Sequence, residues 1–219
     1  KNTFSQNSLK QVNDGSATAG ENTITVDAID AGDFKVGQII EFYSDSGRTT
    51  FASGHEGVRY EITALDVSAE TLTIRQLDDP AGKGLIADLA NDSFVKKYWR
   101  FFDLFDGEPG TSDHATARGI SDDELHIVVY DSTGNQSGFD NDVAGQRTSS
   151  VLETYAFLSK NPEATDSAGN SLFYPDRIYA ESQFIYVANH PSAMIDGSGD
   201  WGITLKSDSS VQSVTAYNL

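Results

Sequence analysis

The acidic loop "DNDVAG", residues 140–145, comes nearest to a metal-binding motif. Asp140 and Asp142 stand two residues apart, as the first two ligands of a calcium loop do. A helix–loop–helix calcium site also needs an oxygen-bearing side chain at its fifth position and a glutamate at its twelfth, where Ala144 and Val151 stand. We therefore predict a solvated loop and no metal site, with an incidental calcium ion on the two carboxylates as the alternative.

Acid–base catalysis would depend on Asp122, Asp123 and Glu124, the three consecutive acids before a strand-like run. Adjacent acids at the start of a strand are usually solvated. A glycoside hydrolase would need two carboxylates about 5–10 Å apart in a cleft, and nothing in the sequence selects such a pair. No G-x-S-x-G elbow supplies a serine nucleophile. We predict that the chain has no catalytic residues and is not an enzyme.

The histidines do not form a zinc-binding pattern. They are His55, His114, His126 and His190. None lies four residues from another, and the chain contains no cysteine to complete a site. His126 stands in the strand-like run "LHIVV", where a hydrogen-bonded structural histidine is the favoured interpretation.

One glycine-rich stretch matches the dinucleotide pattern G-x-G-x-x-G. This stretch is "GSGDWG", residues 197–202. The nucleotide interpretation requires a helix directly after the glycines, and "ITLKSD" there is typical of a strand. We interpret the match as a turn and predict no cofactor. The N-x-S matches at Asn91 and Asn135 carry little weight without evidence of secretion.

The chain is strongly acidic. Its 33 acidic and 15 basic residues give a net charge of −18 over 219 residues, and residues 101–219 alone carry −13. Such a surface repels phosphate backbones and anionic lipids, so we expect neither nucleic acid nor membrane as a partner. No run approaches the ~18 apolar residues of a membrane span. The chain also starts without Met, and we expect it to be a processed product or an excised fragment.

Residues 22–100 have the pattern of a β meander. Apolar and polar residues alternate over Asn22–Ile29, and three further strands are predicted at about 38–44 and in "GVRYEITALD" and "ETLTIRQLD". Such short, regularly spaced strands favour a small antiparallel barrel. Leu85, Ile86 and Leu89 stand at helical spacing and predict a short helix over 84–92. A strand over 93–105 then leads into a second unit.

The second unit combines strands with short helices. Thr111 as N-cap and Gly119 as stop predict a helix at about 112–118. The remaining predictions are a strand over 124–131, a long polar loop to residue 150, a strand over Val151–Leu158, a helix starting at Pro175 and strands in "QFIYVAN", "WGITLKSD" and "SVQSVTAYNL". Strands anchored by Val151, Leu158, Phe184, Ile185 and Val187 would form a rigid body.

The order of short motifs in this second unit resembles the sheath protein of contractile phage tails. The matching features are a Thr-capped, Ala-rich helix, an acid pair before a His-Ile-Val strand, a Val-Leu-Glu strand, a Leu-Ser-Lys end and a Gly-Asn-Ser loop before Tyr-x-x-x-Ile. These motifs stand at Thr111, Ala115, Ala117, Arg118, Gly119, Asp123-Glu124-Leu125-His126-Ile127-Val128-Val129, Asp131, Gly134, Val151-Leu152-Glu153, Leu158-Ser159-Lys160, Gly169-Asn170-Ser171, Tyr174 and Asp176-Arg177-Ile178. They span residues 101–190, under half of the chain. Each motif is weak alone, and the ordered series is moderately specific.

The resemblance implies a fold and a domain division. The fold class we predict is mainly β with a few short helices: a small antiparallel β-barrel inserted into a β-sandwich-like domain. Residues 15–98 would be the outward-facing variable barrel, and residues 1–14 and 99–219 the discontinuous sheath domain. Length and acidity suggest a giant phage of the phiKZ type as the source.

The resemblance also implies a function and partners. The chain would be part of a sheath subunit in the virion, made in the host cytoplasm, whose polymer contracts to drive the inner tube through the host envelope. Its partners would be neighbouring subunits in hexameric rings and, through parts absent here, the inner tail tube. The linking arms of the family have no counterpart in this sequence, so we expect this fragment to be a monomer. The alternative function is surface adsorption or glycan binding, with exposed Tyr43, Tyr60 or Trp99 as contact residues.

Overall fold

The computed structural model describes residues 10–15, 17–30 and 32–187 and divides the chain into two compact units. We call residues 10–102 and 131–150 the barrel unit, and residues 103–130 and 151–187 the ribbon unit. Within these residues the fold is mainly β with two short α-helices, which confirms the predicted class. No helix among the described residues is long and apolar enough to cross a membrane.

Six strands form one antiparallel sheet in the barrel unit. Its order is β1-β6-β3-β4-β5-β2. The strands are β1 (Lys10–Gln11), β2 (Thr23–Thr25), β3 (Ile39–Tyr43), β4 (Tyr60–Asp66), β5 (Thr71–Gln76) and β6 (Phe94–Tyr98). The predicted strands at 22–29, 38–44, 57–66 and 70–78 each contain one of them. The predicted strand at 93–105 ends earlier, at Tyr98, and Phe102–Leu104 forms a 3₁₀ turn.

The sheet curls until its first and last strands meet. Val12 and Val26, which directly follow β1 and β2, form an antiparallel bridge. The Asn13 N–H donates to the Thr25 carbonyl at 2.9 Å, and the Asp27 N–H donates to the Gln11 carbonyl at 2.8 Å. These bonds satisfy backbone groups that an open sheet would leave unpaired at its edges.

The period-2 pattern of the strands produces the barrel core. One face of each of the strands β2 to β6 supplies side chains to a single apolar cluster, whose members include Ile24, Ile40, Phe42, Tyr60, Ile62, Leu72, Ile74 and Val95. All five residues of β3 are buried. Because alternate residues face opposite sides, the burial of Glu41 shows that the outer face of β3 is covered as well.

The helix predicted over 84–92 does not form, and that prediction is wrong. Leu85 and Leu89 are both buried, but they belong to a segment that pairs with the chain near residue 20. The Leu85 N–H donates to the Glu21 carbonyl at 2.8 Å, and the Leu89 N–H donates to the Ala17 carbonyl at 2.9 Å. A Cβ on Gly84 would lie 2.0 Å from the Glu21 oxygen, so this approach requires glycine.

The ribbon unit is built on two antiparallel strands, β7 (Glu124–Tyr130) and β8 (Val151–Ser159). Their pairing shifts register between Leu125 and Ile127, which is a β-bulge in β8. The extra residue resets the alternation, so that Tyr155 and Leu158, three positions apart, both enter one apolar cluster with Leu125. An unbulged strand would point one of the two towards solvent.

Two short helices accompany the ribbon. Helix α1 (Asp113–Thr116) is capped by Ser112, whose Oγ accepts a hydrogen bond from the Ala115 N–H at 3.1 Å. The predicted N-cap, Thr111, instead accepts from the Asp122 N–H. Helix α2 (Tyr174–Glu181) has Pro175 in its first turn, as predicted.

The last predicted strands are only partly testable. Residues 183–187 of "QFIYVAN" do not form a strand, because the Ser182 side chain and Glu153 accept the backbone N–H groups of Gln183, Phe184 and Ile185. Ile185 and Val187 pack against the ribbon core, whereas Phe184 is 44% exposed and does not anchor it. The predicted strands in 201–219 lie outside the described residues.

The unit division differs from the expected domain boundaries at three places. β1 pairs with β6 inside the barrel unit, so residues 10–14 do not belong with the second unit. Residues 99–102 also fall in the barrel unit. The largest difference is the polar loop 131–150, which the sequence assigned to the second unit and the structure assigns to the barrel unit.

Candidate functional site

A dense group of charged side chains lies on the outer face of the barrel unit. Glu61 on β4 is 3% exposed and has two arginine partners. The Arg75 guanidinium donates to Glu61 Oε2 from Nε at 2.9 Å and from Nη2 at 2.7 Å. Arg100 Nη2 lies 2.8 Å from Glu61 Oε1. Both carboxylate oxygens are therefore paired, as a buried carboxylate requires.

Glu41 on β3 is buried beside this group and is paired separately. Arg59 Nε donates to one oxygen at 3.0 Å, and the hydroxyls of Tyr43 and Tyr98 donate to the other at 2.7 and 2.8 Å. Burial, followed by the hydrogen bond to Glu41, raises the pKa of Tyr43 to about 12. Burial and the same carboxylate raise the pKa of Tyr98 as well. Both hydroxyls stay protonated and act as fixed donors.

Two of the arginines extend from the barrel face to the loop 131–150. Arg100 Nη2 donates to the Asn141 carbonyl at 2.8 Å, and its Nη1 donates to Asp142 Oδ1 at 3.1 Å. Arg75 Nη1 donates to the Asp142 carbonyl at 3.0 Å. One guanidinium can serve a carboxylate and a carbonyl together because it presents five donors in a planar fork.

A third arginine comes from the loop itself. The Arg147 side chain is only 2% exposed. Its Nη2 and Nε donate to the Asp78 carboxylate at 2.7 and 3.2 Å, and its Nη1 donates to the Arg100 carbonyl at 2.8 Å. The guanidinium also lies 5.8 Å from the centre of the Phe101 ring. We call Arg75, Arg100 and Arg147 with these partners the arginine clamp.

The loop is also ordered from within by Asp131. Its carboxylate accepts hydrogen bonds from four backbone N–H groups, those of Thr133, Gly134, Gln136 and Ser137. These bonds, the one from Ser137 most strongly, hold the pKa of Asp131 far below its usual range. The loop therefore presents a fixed shape to the clamp.

In the ribbon unit, two of the three consecutive acids at 122–124 accept hydrogen bonds from the backbone of nearby residues. Asp123 is fully buried and accepts hydrogen bonds from the Ser112 N–H and Oγ–H, both at 2.8 Å, and from the Ser159 hydroxyl. Glu124 accepts from the Gly110 N–H at 2.9 Å, and Asp122 is exposed. Asp123 thus ties the cap of α1 to the end of β8.

Two histidines are held inside the units by hydrogen bonds. His126 donates from Nε2 to the Gly107 carbonyl at 2.9 Å and accepts the Phe157 N–H at Nδ1, consistent with the structural interpretation. His55 is fully buried, with Nδ1 2.8 Å from the Tyr60 hydroxyl. Burial lowers the pKa of His55. His114 lies on α1, and His190 and the "GSGDWG" turn lie outside the described residues.

The calcium alternative is not supported by the positions of its ligands. Asp142 is paired with Arg100, and Asp140 Oδ1 accepts the Asp142 N–H at 2.9 Å. Across residues 10–15, 17–30 and 32–187, no group of three or more His, Cys, Asp or Glu side chains could hold a metal ion.

The aromatic residues named for surface binding are not exposed as expected. Tyr60 is fully buried, and Tyr43 is 5% exposed. Trp99 is only partly exposed and packs edge-on against Phe101. Tyr43 and Tyr60 therefore cannot serve as contact residues for a glycan.

Sequence reasoning did not find the clamp. Arg75, Arg100 and Arg147 are far apart in the chain and belong to no motif. The available signal was the position of two of these arginines in strand-like runs, Arg75 in "TLTIRQ" and Arg100 in the predicted strand over 93–105. The carboxylate with which such an arginine forms an ion pair is set by tertiary contacts between residues that are distant in the sequence.

No known family model matches the chain, and no characterised protein or solved structure gives a significant match to it.

Proposed function

We propose that this chain is a structural part of a contractile phage tail sheath subunit, without enzymatic activity. The observation that carries the proposal is the position of the motif residues. Leu125, Leu158 and the pair Tyr174 and Ile178 come from three separate motifs, and all four residues are members of one buried cluster. Asp123 and Ser159, from two of the same motifs, are hydrogen-bonded to each other. These residues of the motif series thus belong to one packed body.

The polar chemistry of both units also supports a mechanical role. A contractile sheath stores free energy in an extended lattice and releases it when subunits change neighbours, which requires bodies that keep their shape. The buried carboxylates Glu41, Glu61 and Asp123 accept hydrogen bonds from side chains or backbone of the same unit. Buried carboxylates whose oxygens are all paired in this way rigidify a fold.

The proposal includes partners and a location. The subunit would contact neighbouring sheath subunits in hexameric rings and, through parts outside this chain, the inner tail tube. It would be assembled in the host cytoplasm and remain in the virion. The barrel unit would be the outward-facing part.

Immunogold electron microscopy tests this proposal. Antibodies raised against the chain, applied to particles of the phage that encodes it, should label the tail along its whole length. Pre-adsorption of the antibody with purified chain should abolish the label. Label confined to fibres or to the tail tip would contradict the proposal and favour surface adsorption.

A further inference from the structure

The loop 131–150 connects the two strands of the ribbon yet belongs to the barrel unit. Its ends are close together, because the Asp131 N–H donates to the Ser150 carbonyl at 2.9 Å and Tyr130 pairs with Val151. Residues 130/131 and 150/151 are therefore two adjacent places where the chain passes between the units.

The loop is attached to the barrel mainly by polar contacts. Arg100 donates to Asp142 and to the Asn141 carbonyl of the loop. Arg147 of the loop donates to Asp78 in turn. A close backbone approach adds to them, because a Cβ on Gly145 would lie 3.0 Å from Pro80 Cα. Gly145 also has φ +76°, so another residue there would be strained as well as crowded.

We infer that this loop is a mechanical coupling element, through which force on the β7–β8 ribbon passes into the barrel by way of the arginine clamp. Fork-shaped, charge-assisted hydrogen bonds suit this task because they are short and directional. A force that pulls β8 must displace several of them together, since the Arg147 guanidinium binds Asp78 and the Arg100 carbonyl at once. The inference relies on the proposed function only for the origin of the force; the coupling is a property of the chain.

Single-molecule pulling measures the coupling directly. The chain has no cysteine, so handles can be attached at Ser68→Cys in the barrel and at exposed Thr154→Cys on β8. In the wild type, release of the loop should be a discrete event in the force–extension trace. Arg100→Met/Arg147→Met should lower the force of this event by at least half. Arg118→Met, an exposed change in the ribbon unit, should leave it unchanged. An unchanged release force in the double variant would overturn the inference.

Native-state hydrogen exchange gives a test that needs no variant. If the loop is coupled to the barrel, the amides of Gln136 and Ser137 should open with the β4 and β5 amides as denaturant is added. Opening of these amides independently of the barrel would overturn the coupling. Neither result depends on whether the chain comes from a tail sheath, so the two proposals fail separately.

Discussion

Nδ1 of His126 accepts a hydrogen bond from the backbone N–H of Phe157 at 3.0 Å. Phe157 lies within β8 with φ +50°, a conformation that costs an aromatic residue free energy. The two rings meet edge to face at 4.6 Å, and the His126 ring stacks on Phe105 at 4.1 Å. The His126 imidazole therefore accepts the Phe157 N–H, which the bulge leaves without an acceptor in the backbone ladder.

Replacing this acceptor should destabilise the ribbon. His126→Phe keeps an aromatic ring beside Phe105 and leaves the Phe157 N–H without its partner, which costs about 1–3 kcal/mol. Urea unfolding should show this loss, whereas Thr154→Ala, an exposed change on the same strand, should have little effect. A His126→Phe variant as stable as wild type would show that the histidine does not hold the bulge.

Replacing Asp123 should destabilise the protein far more than replacing its neighbour Asp122. Asp123→Ala removes the acceptor of two buried serines, and each unpaired donor costs about 1–3 kcal/mol, so a total loss of roughly 3 kcal/mol or more is expected. The matched control is Asp122→Asn, because Asp122 is exposed and asparagine tolerates its φ of +59°. Equal effects of the two changes on the unfolding midpoint would contradict the buried role of Asp123.

The barrel should lose stability in mild acid because of His55. Burial lowers the pKa of His55 below its unfolded value of 6.5, so the folded state binds fewer protons than the unfolded state. The contribution of His55 to the free energy of unfolding is fully present above pH 6.5. It declines as pH falls through and below that value, by at most about 1.4 kcal/mol per pH unit. His55→Phe should flatten the pH dependence of the free energy of unfolding between pH 6.5 and 4.5. Identical slopes for variant and wild type would exclude His55 as the cause.

The isolated chain should be a monomer in dilute solution at low salt. A net charge of −18 opposes self-association, and lateral contacts between such bodies should stay below the ~1,000 Å² of a stable interface. Any association should strengthen as salt screens the repulsion. Light scattering at low and at high salt measures both effects. A stable hexamer at low salt would show that these units carry the ring contacts themselves.

Local patterns were sufficient to predict the strands β2 to β8 and both α-helices, but not β1. Strand β7 follows from its β-branched run, and α2 follows from Pro175 at its first turn. The mainly-β class follows because such runs recur at short spacing.

The sequence predictions fail where long-range contacts outweigh the local spacing of apolar residues. Leu85 and Leu89 have helical spacing, but pairing with Glu21 and Ala17 holds them in a non-helical segment. The bulge at Phe157 breaks the alternation that a strand prediction assumes. For the same reason the sequence placed the loop 131–150 in the wrong unit, because its attachment depends on arginines distant in the chain.

A cryo-electron microscopy reconstruction of the tail of the phage that encodes this chain tests the central proposal most directly. The account predicts that the sheath density repeats a six-stranded barrel, with the β7–β8 ribbon and α2, once per subunit along the whole tail. Both units should keep their internal structure in the extended and contracted states. A sheath built from a different fold, with these units found only in fibres or at the tip, would contradict the account.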